Sequence, residues 1–406
     1  MHKLQNKINL PVIGLFIIYP LISLPFLLIE VINKKKYAVV LLSFFMAALG
    51  YILIPTITDD LTKHYDDFSK LTTDWGSFKF LLIQNTDFVL TLFQFFIKVF
   101  NLSPQLIPFL SVFIGYFLKF LILFQFVKIY EAKNERKIPK TIWILLIAFT
   151  FLTISFRNFA LNIRMPVALT LQMYGLFVLY FKKEKSGLIY MALGTLTHFM
   201  TIIFILFILI LKYFNRKNLF RILFIISFGF NFIPQSIIVK PIQQINISNE
   251  QFIKKQQGYT EGFYYKNFME EMSFKGKVSR YIGLSFTYLI FLYLLIFKRN
   301  SKLRNFVYLC AILTNFFYSM PMFFARYSYA LQFFFYVLFL FESGSTFFYS
   351  KKGLLMLKLL TLYTILLFTA MVYSTRVSII KSHSKVLYNN IITLFNIKVT
   401  KQDYIY

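Results

Sequence analysis

Long apolar runs separated by short polar breaks dominate the chain. They cover 10–30, 37–55, 105–127, 141–156, 165–181, 219–239, 281–297, 305–324, 327–341 and 354–373. Many are near the roughly 20 residues that a helix needs to cross a bilayer core. In lipid every backbone N–H and C=O must be satisfied within the chain, which leaves helices or a closed barrel. The runs do not alternate apolar with polar residues, which argues against a barrel. The pattern predicts an all-α, polytopic bundle of about ten full spans plus partial or re-entrant helices, forming one integral membrane unit over 1–406. No internal repeat or separate soluble domain is evident.

Two stretches break this rhythm. Residues 87–100 are apolar but too short to cross comfortably. Residues 187–211 are apolar yet flanked on both sides by basic clusters. A straight helix would carry one of those clusters across the membrane. A broken hairpin would keep both on one side, with Thr195-Leu-Thr-His198 near its tip, roughly 20 Å from Lys185 at helical rise. The pattern allows either.

Charge orients the bundle. The net charge is +28 from 44 Lys and Arg against 16 Asp and Glu. One basic face would suggest nucleic acid, but these charges sit in short clusters between apolar runs: Lys34–Lys36, 128–140, Lys182–Lys185, 212–221, 298–304, and Lys351 with Lys352. That is the pattern of cytoplasmic loops, so no nucleic-acid partner is expected. The two long loops, 56–86 and 240–280, then lie outside, and the N-terminal run reads as a retained helix. The one cysteine, Cys310, sits in an apolar run and can form no disulfide within the chain.

Ionisable groups near membrane depth are costly, so each is a candidate for function. Arg157 and Arg164 bracket a polar interruption, and Pro166 follows in the position favoured at a helix start. A guanidinium beside a helix N-terminus suits a phosphate. Arg326 lies in Met320-Pro-Met-Phe-Phe-Ala-Arg-Tyr-Ser-Tyr329, between two apolar stretches, and Arg280 opens another run. The outer segment Thr58-Asp-Asp-Leu-Thr-Lys-His-Tyr65 gathers two carboxylates, an imidazole and a phenol, groups able to bind a sugar or to move a proton. Taken one at a time, these residues read as snorkelling arginines, a core histidine and a solvated acidic loop. Taken together on the derived topology, Asp59, Asp60, Arg157, Arg164, His198 and Arg326 open toward one side, a set suited to a pyrophosphate and a general base. His64 and His198 lie far apart, and no histidine–carboxylate pair has ligand spacing, so neither metal nor cofactor is expected.

The stretch Asn162-Ile-Arg-Met-Pro-Val-Ala168, an apolar helix, Lys182-Lys183, a further apolar stretch and Thr197-His198 resembles the EpsG-like branch of the Wzy polysaccharide polymerases. Asp59 and Asp60 with Tyr65 loosely match that family's outer Asp-and-Tyr motif. Arg326 with Tyr327 and Tyr329 matches its late Arg followed by tyrosines. The family's glycine ahead of the Asp motif is replaced here by Ile54-Pro-Thr-Ile-Thr58, which leaves the roles of Asp59 and Asp60 open. The resemblance implies a GT-C-like glycosyltransferase of the bacterial cytoplasmic membrane with an outward-facing site. It would join oligosaccharide repeat units carried on undecaprenyl pyrophosphate, for O-antigen, capsule or exopolysaccharide, by inversion and without metal. His198, Asp59 or Asp60 would be the base. Arg157, Arg164, Arg326 and Arg280 would hold pyrophosphate, and Tyr65, Tyr327 and Tyr329 would bind sugar. Its partners would be the lipid-linked oligosaccharide, membrane lipid and a chain-length regulator. A flippase of lipid-linked sugar, or a ligase or glycosyltransferase using a lipid phosphate sugar, is the alternative.

Overall fold

The computed structural model describes residues 8–405 apart from 58, 85–87, 215, 217, 245–252, 254, 255, 259, 261–273, 298, 344–349 and 383–389. Within them the helices run α1 Leu10–Ile18, α2 Pro20–Ile32, α3 Lys36–Ile52, α4 Asp60–Lys70, α5 Trp75–Gln84, α6 Phe88–Val99, α7 Leu106–Asn134, α8 Lys140–Leu152, α9 Phe156–Leu161, α10 Arg164–Phe177, α11 Gly187–Thr197, α12 Ile202–Tyr213, α13 Leu219–Ser227, α14 Gln235–Gln243, α15 Phe274–Ile296, α16 Lys302–Phe316, α17 Pro321–Ser343 and α18 Lys351–Lys381. Five helical stretches are long and apolar enough to cross a membrane, and six with one bent pair counted as a span. Shorter apolar helices, among them α2, α3, α6 and α11, supplement them.

Side-chain pairings sort the bundle into two ends. Lys34 Nζ meets Glu131 Oε1 at 2.6 Å, and Trp143 Nε1 donates to Ile32 O at 2.8 Å. Phe126 packs edge-on against Phe181, and Phe181 against Phe341. Arg304 Nη1 reaches both carboxylate oxygens of Glu342, at 2.8 and 2.7 Å. The basic clusters at Lys34–Lys36, 128–140, Lys182–Lys185 and around Arg304 therefore share one end. At the other end Ser111 Oγ donates to Phe159 O at 2.6 Å, and Phe317 stacks on Phe323 and Tyr327. In lipid, close packing rather than water exclusion holds helices together. Interdigitated Phe rings supply it here, with Phe149, Phe204, Phe306, Phe334 and Phe339 in mutual contact networks around the strongly buried α17.

Prolines divide several of the expected spans. The run 10–30 breaks at Tyr19, because the residue before Pro20 is pushed out of helical geometry. The run 219–239 is not one straight span. Leu219–Phe232 and Gln235–Pro241 meet at 103° across Ile233-Pro234. The interruption expected between 324 and 327 lies instead at 317–320, ahead of Pro321. Arg326 consequently stands on α17 rather than in a loop.

The segment 187–213 is a broken hairpin. α10 and α11 pack antiparallel, Gly187 against Gly175 and Gly194 against Ala168. A Cβ on Gly194 would come within 2.6 Å of Ala168 O, so only glycine permits this approach, as small residues do at membrane helix contacts. α11 thus climbs from the basic end to the far end. His198 ends it in extended backbone, φ −150° and ψ 103°. Met200 then lies beside Arg326, Phe204 on Phe334, and Phe207 on Phe306, one turn from the start of α16. α12 therefore descends again, and Gly187 and Tyr213 both end at the basic end.

Candidate functional site

The far end begins with the loop into α4. Asp59 turns its carboxylate back onto Thr56, with Oδ2 accepting from Thr56 N at 2.8 Å and from Thr56 Oγ1 at 2.7 Å. Its other oxygen, Oδ1, is 4.0 Å from Arg157 Nη2. The Asp59 side chain is only 11% exposed, against 42% for Asp60, whose partner is Lys63 at 3.3 Å. Among the described contacts of the two aspartates, it is Asp59 that faces an arginine of the set.

Arg157 rides on α9, a six-residue helix between α8 and α10. Ser155 caps it by accepting from Asn158 N, the usual role of a serine at a helix start. Beneath this break lies Lys119, fully buried on α7. Its ammonium donates to Ile154 O at 3.2 Å and Phe151 O at 3.5 Å, 4.2 Å from the centre of the Tyr116 ring. A cation there satisfies carbonyls left open where α8 ends. The turn from α9 into α10 passes through Ile163 at φ 25°, ψ −71°. A buried β-branched residue on that side of the map is strained by about 1–3 kcal/mol, a cost tolerated mainly at functional sites. Arg164 follows directly as the first residue of α10.

Arg164 acts electrostatically on Asp67, one face of α4 further along. Burial pushes the Asp67 carboxyl above its ordinary range, while Lys70 and Arg164 pull it back down. Both arginines thus have a carboxylate of the α4 region within electrostatic reach: Asp59 for Arg157, Asp67 for Arg164.

The hairpin tip completes the arrangement. The amide nitrogen of Gln172, in the middle of α10, lies 2.8 Å from Thr201 Oγ1, 3.0 Å from Thr201 O, 3.2 Å from Thr195 Oγ1 and 3.4 Å from Met191 O. Continued one turn from the Ala168–Gly194 contact, the antiparallel register brings half-buried His198 level with Arg164. Thr201 donates to the His198 carbonyl from both N and Oγ1, at 3.0 and 2.8 Å. Arg326 Nη1 stands 3.9 Å from Met200 Sδ, two residues past His198. Asp59, Arg157, Arg164, His198 and Arg326 therefore gather at one end.

The three tyrosines expected to bind sugar lie against other rings. Tyr65 is 5% exposed and lies against Tyr404, centroids 6.4 Å apart at 27°. Tyr327 stacks on Phe317 at 5.2 Å, and Tyr329 meets Phe333 edge-on beside Asn158. Each ring is already packed on another. Arg280 falls within α15, but its side chain lies outside the described residues, as does most of the loop 240–280. Sequence reasoning overlooked Lys119 and Asp67. Lys119 carried a legible signal, an ionisable residue in the middle of an apolar run; the link from Asp67 to Arg164 carried none.

A sequence model of the EpsG family matches residues 60–390, most of the chain. No curated protein and no solved structure matches it.

Proposed function

Because the chain belongs to the EpsG family, whose members are polysaccharide-polymerase-like membrane proteins, we propose that it extends a polysaccharide from undecaprenyl-pyrophosphate-linked repeat units on the outer face of the bacterial cytoplasmic membrane. The observation that supports this reading is that Arg326 lies beside the hairpin tip, at Met200, while the packing of Gly194 on Ala168 carries that tip toward the end where Arg164 opens α10. Guanidinium groups present planar forks that match phosphate oxygens. The growing chain on its lipid pyrophosphate is the donor. Arg164 and Arg326, backed by Arg157, bind that pyrophosphate and stabilise the charge it gains as the anomeric bond breaks. A sugar hydroxyl on a second lipid-linked unit attacks the anomeric carbon, and His198 accepts its proton. Direct displacement inverts the anomeric centre. Asp60, facing water beside Lys63, is poorly placed to be the base. Asp59 acts through Arg157. Tyr327 and Tyr329 flank the α17 face near Arg326, where incoming sugars pass. A chain-length regulator is the protein partner that such a polymerase takes.

A transporter of lipid-linked sugar would carry broken helices in corresponding positions of inverted repeats. The described residues include three broken elements, 10–32, 187–213 and 219–241, so their placement does not separate the two readings, and the family match favours the enzyme. The test uses purified protein in liposomes with lipid-linked repeat units. Wild type makes long polymer. Arg164→Ala and Arg326→Ala leave single units on the carrier, and the Arg→Lys forms lose most activity because a point charge does not reproduce the fork. Normal polymer length from both Lys variants would overturn the bidentate contacts. Absence of polymer from the wild type would overturn the polymerase itself.

A further inference from the structure

The segment 390–405 returns to the far end of the bundle and grips the elements that carry the two carboxylates. Ile405 N donates to Pro55 O at 3.2 Å, and Ile57 N donates to Ile405 O at 3.0 Å, a short parallel bridge of Thr56 with Ile405. Thr56 is the residue that holds the Asp59 carboxylate. A second grip falls on α4: Lys401 Nζ meets Asp66 Oδ1 at 2.6 Å, and Tyr404 covers Tyr65. Asp66 neighbours Asp67, the carboxylate that Arg164 acts on. A third grip secures the approach. Val399 N donates to Gln105 Oε1 at 3.0 Å, Gln105 Nε2 donates to Tyr51 O at 2.7 Å, and Tyr51 Oη donates to Phe395 O at 3.4 Å. The segment thus holds Thr56, on which the carboxylate facing Arg157 rests, and Asp66 on α4.

We propose that residues 399–405 are a positioning strap, closed in the active protein, that holds Asp59 against Arg157 and α4 in its place, and thereby sets where Arg157 presents its guanidinium group. Both sides of the Thr56–Ile405 bridge lie outside residues 60–390, so the family match does not include this contact. The closed form suits the chemistry. α4 is also tied to the bundle by Gln94 and Lys98 of α6, which donate to the carbonyls of His64, Phe68 and Ser69. These bonds from α6 fall on α4 rather than on the loop before it. The strap supplies main-chain partners to both Pro55 and Ile57. The surface ion pair alone is worth little. The backbone bridge and the buried Tyr65–Tyr404 contact give the strap its hold.

The inference rests on the polymerase reading, and its experiment separates the two. In a Cys310→Ser background, Tyr65→Cys is shielded from an impermeant thiol reagent while the strap is present. It becomes labelled once residues 398–406 are removed. This readout needs no polymerisation. The same truncation in otherwise native protein raises the KM for lipid-linked repeat units roughly ten- to hundredfold, the scale of an ångström-sized misplacement of binding groups, while the amount of folded protein in the membrane is unchanged. A merely destabilising tail would lower the amount and leave KM alone. Lys401→Cys with Asp66→Cys, joined by a short bis-maleimide, locks the strap shut, and the locked protein makes polymer of normal length. If locking stops polymerisation, the strap is a gate that must open, and the proposal falls. It falls equally if Tyr65→Cys is labelled with the strap in place, if truncation leaves KM unchanged, or if labelling follows the strap while wild type makes no polymer.

Discussion

Replacing Gln172 by Met tests whether one amide holds the hairpin tip, with His198 on it, at its depth beside α10. The substitution keeps side-chain bulk, so no cavity opens beside Gly194, and removes only the polar head. A carboxamide has two N–H groups, and four oxygens compete for them within 3.4 Å. At most two bonds are therefore lost, the shortest being those to Thr201 Oγ1 and Thr201 O. Side-chain hydrogen bonds inside membrane bundles average about 0.6 kcal/mol and reach about 1.7, since the alternative state also finds partners. Two of them give about 1–3 kcal/mol, and two average ones about 1.2 kcal/mol, close to the 1.4 kcal/mol that shifts an equilibrium tenfold. Thr195 and Thr201 keep their own bonds to Met191 O and His198 O, so the loss should not exceed this range. Amide hydrogen exchange in liposomes, read by mass spectrometry over residues 195–201, should accelerate about tenfold through local opening. Exchange in α17 should stay as it was. Chain extension should slow by no more than the same factor. Unchanged exchange at 195–201 would refute the argument, because the tip would then be held by Gly-mediated packing alone.

Arg304→Met should destabilise the protein by about 3–5 kcal/mol, since it strands Glu342 in a buried site whose other described hydrogen-bond donor to the carboxylate is Tyr293; a large fall in thermal midpoint checks this, and a midpoint within a degree of wild type would count against a buried pair. Gly194→Leu should push α11 off α10, where even a Cβ meets Ala168 O at 2.6 Å, and abolish polymer while Gly14→Leu, with open space around it, is tolerated. For topology, single cysteines near Lys183 and Arg216 in a Cys310→Ser background should both be protected from an impermeant reagent added outside, whereas one at Ser69 should react. Labelling at Arg216 but not at Lys183 would contradict the hairpin.

Much of this architecture follows from composition along the chain. Apolar runs near bilayer length must be helices, because lipid offers no partner to an open backbone. The spacing of Lys and Arg placed 34–36, 128–140, 182–185 and the region of Arg304 together, and the pairings across the bundle agree. Arg157, Arg164, His198 and Arg326 stood out because charge or a titratable ring beside long apolar runs is costly unless it has a use. What the linear pattern left open was decided by contacts between residues far apart in sequence. Whether 187–213 crosses or returns turned on glycines 187 and 194 finding Gly175 and Ala168, and on Phe204 finding Phe334. Asp59 was separated from Asp60 by which of two adjacent side chains turned toward Thr56 and Arg157. The strap from 399 to 405 has no periodic signal, and its bridge joins residues some 350 positions apart. Burial in lipid is a property of each stretch taken alone, so sequence carries it. Register between helices depends on the shapes that meet, and those exist only once the chain has packed.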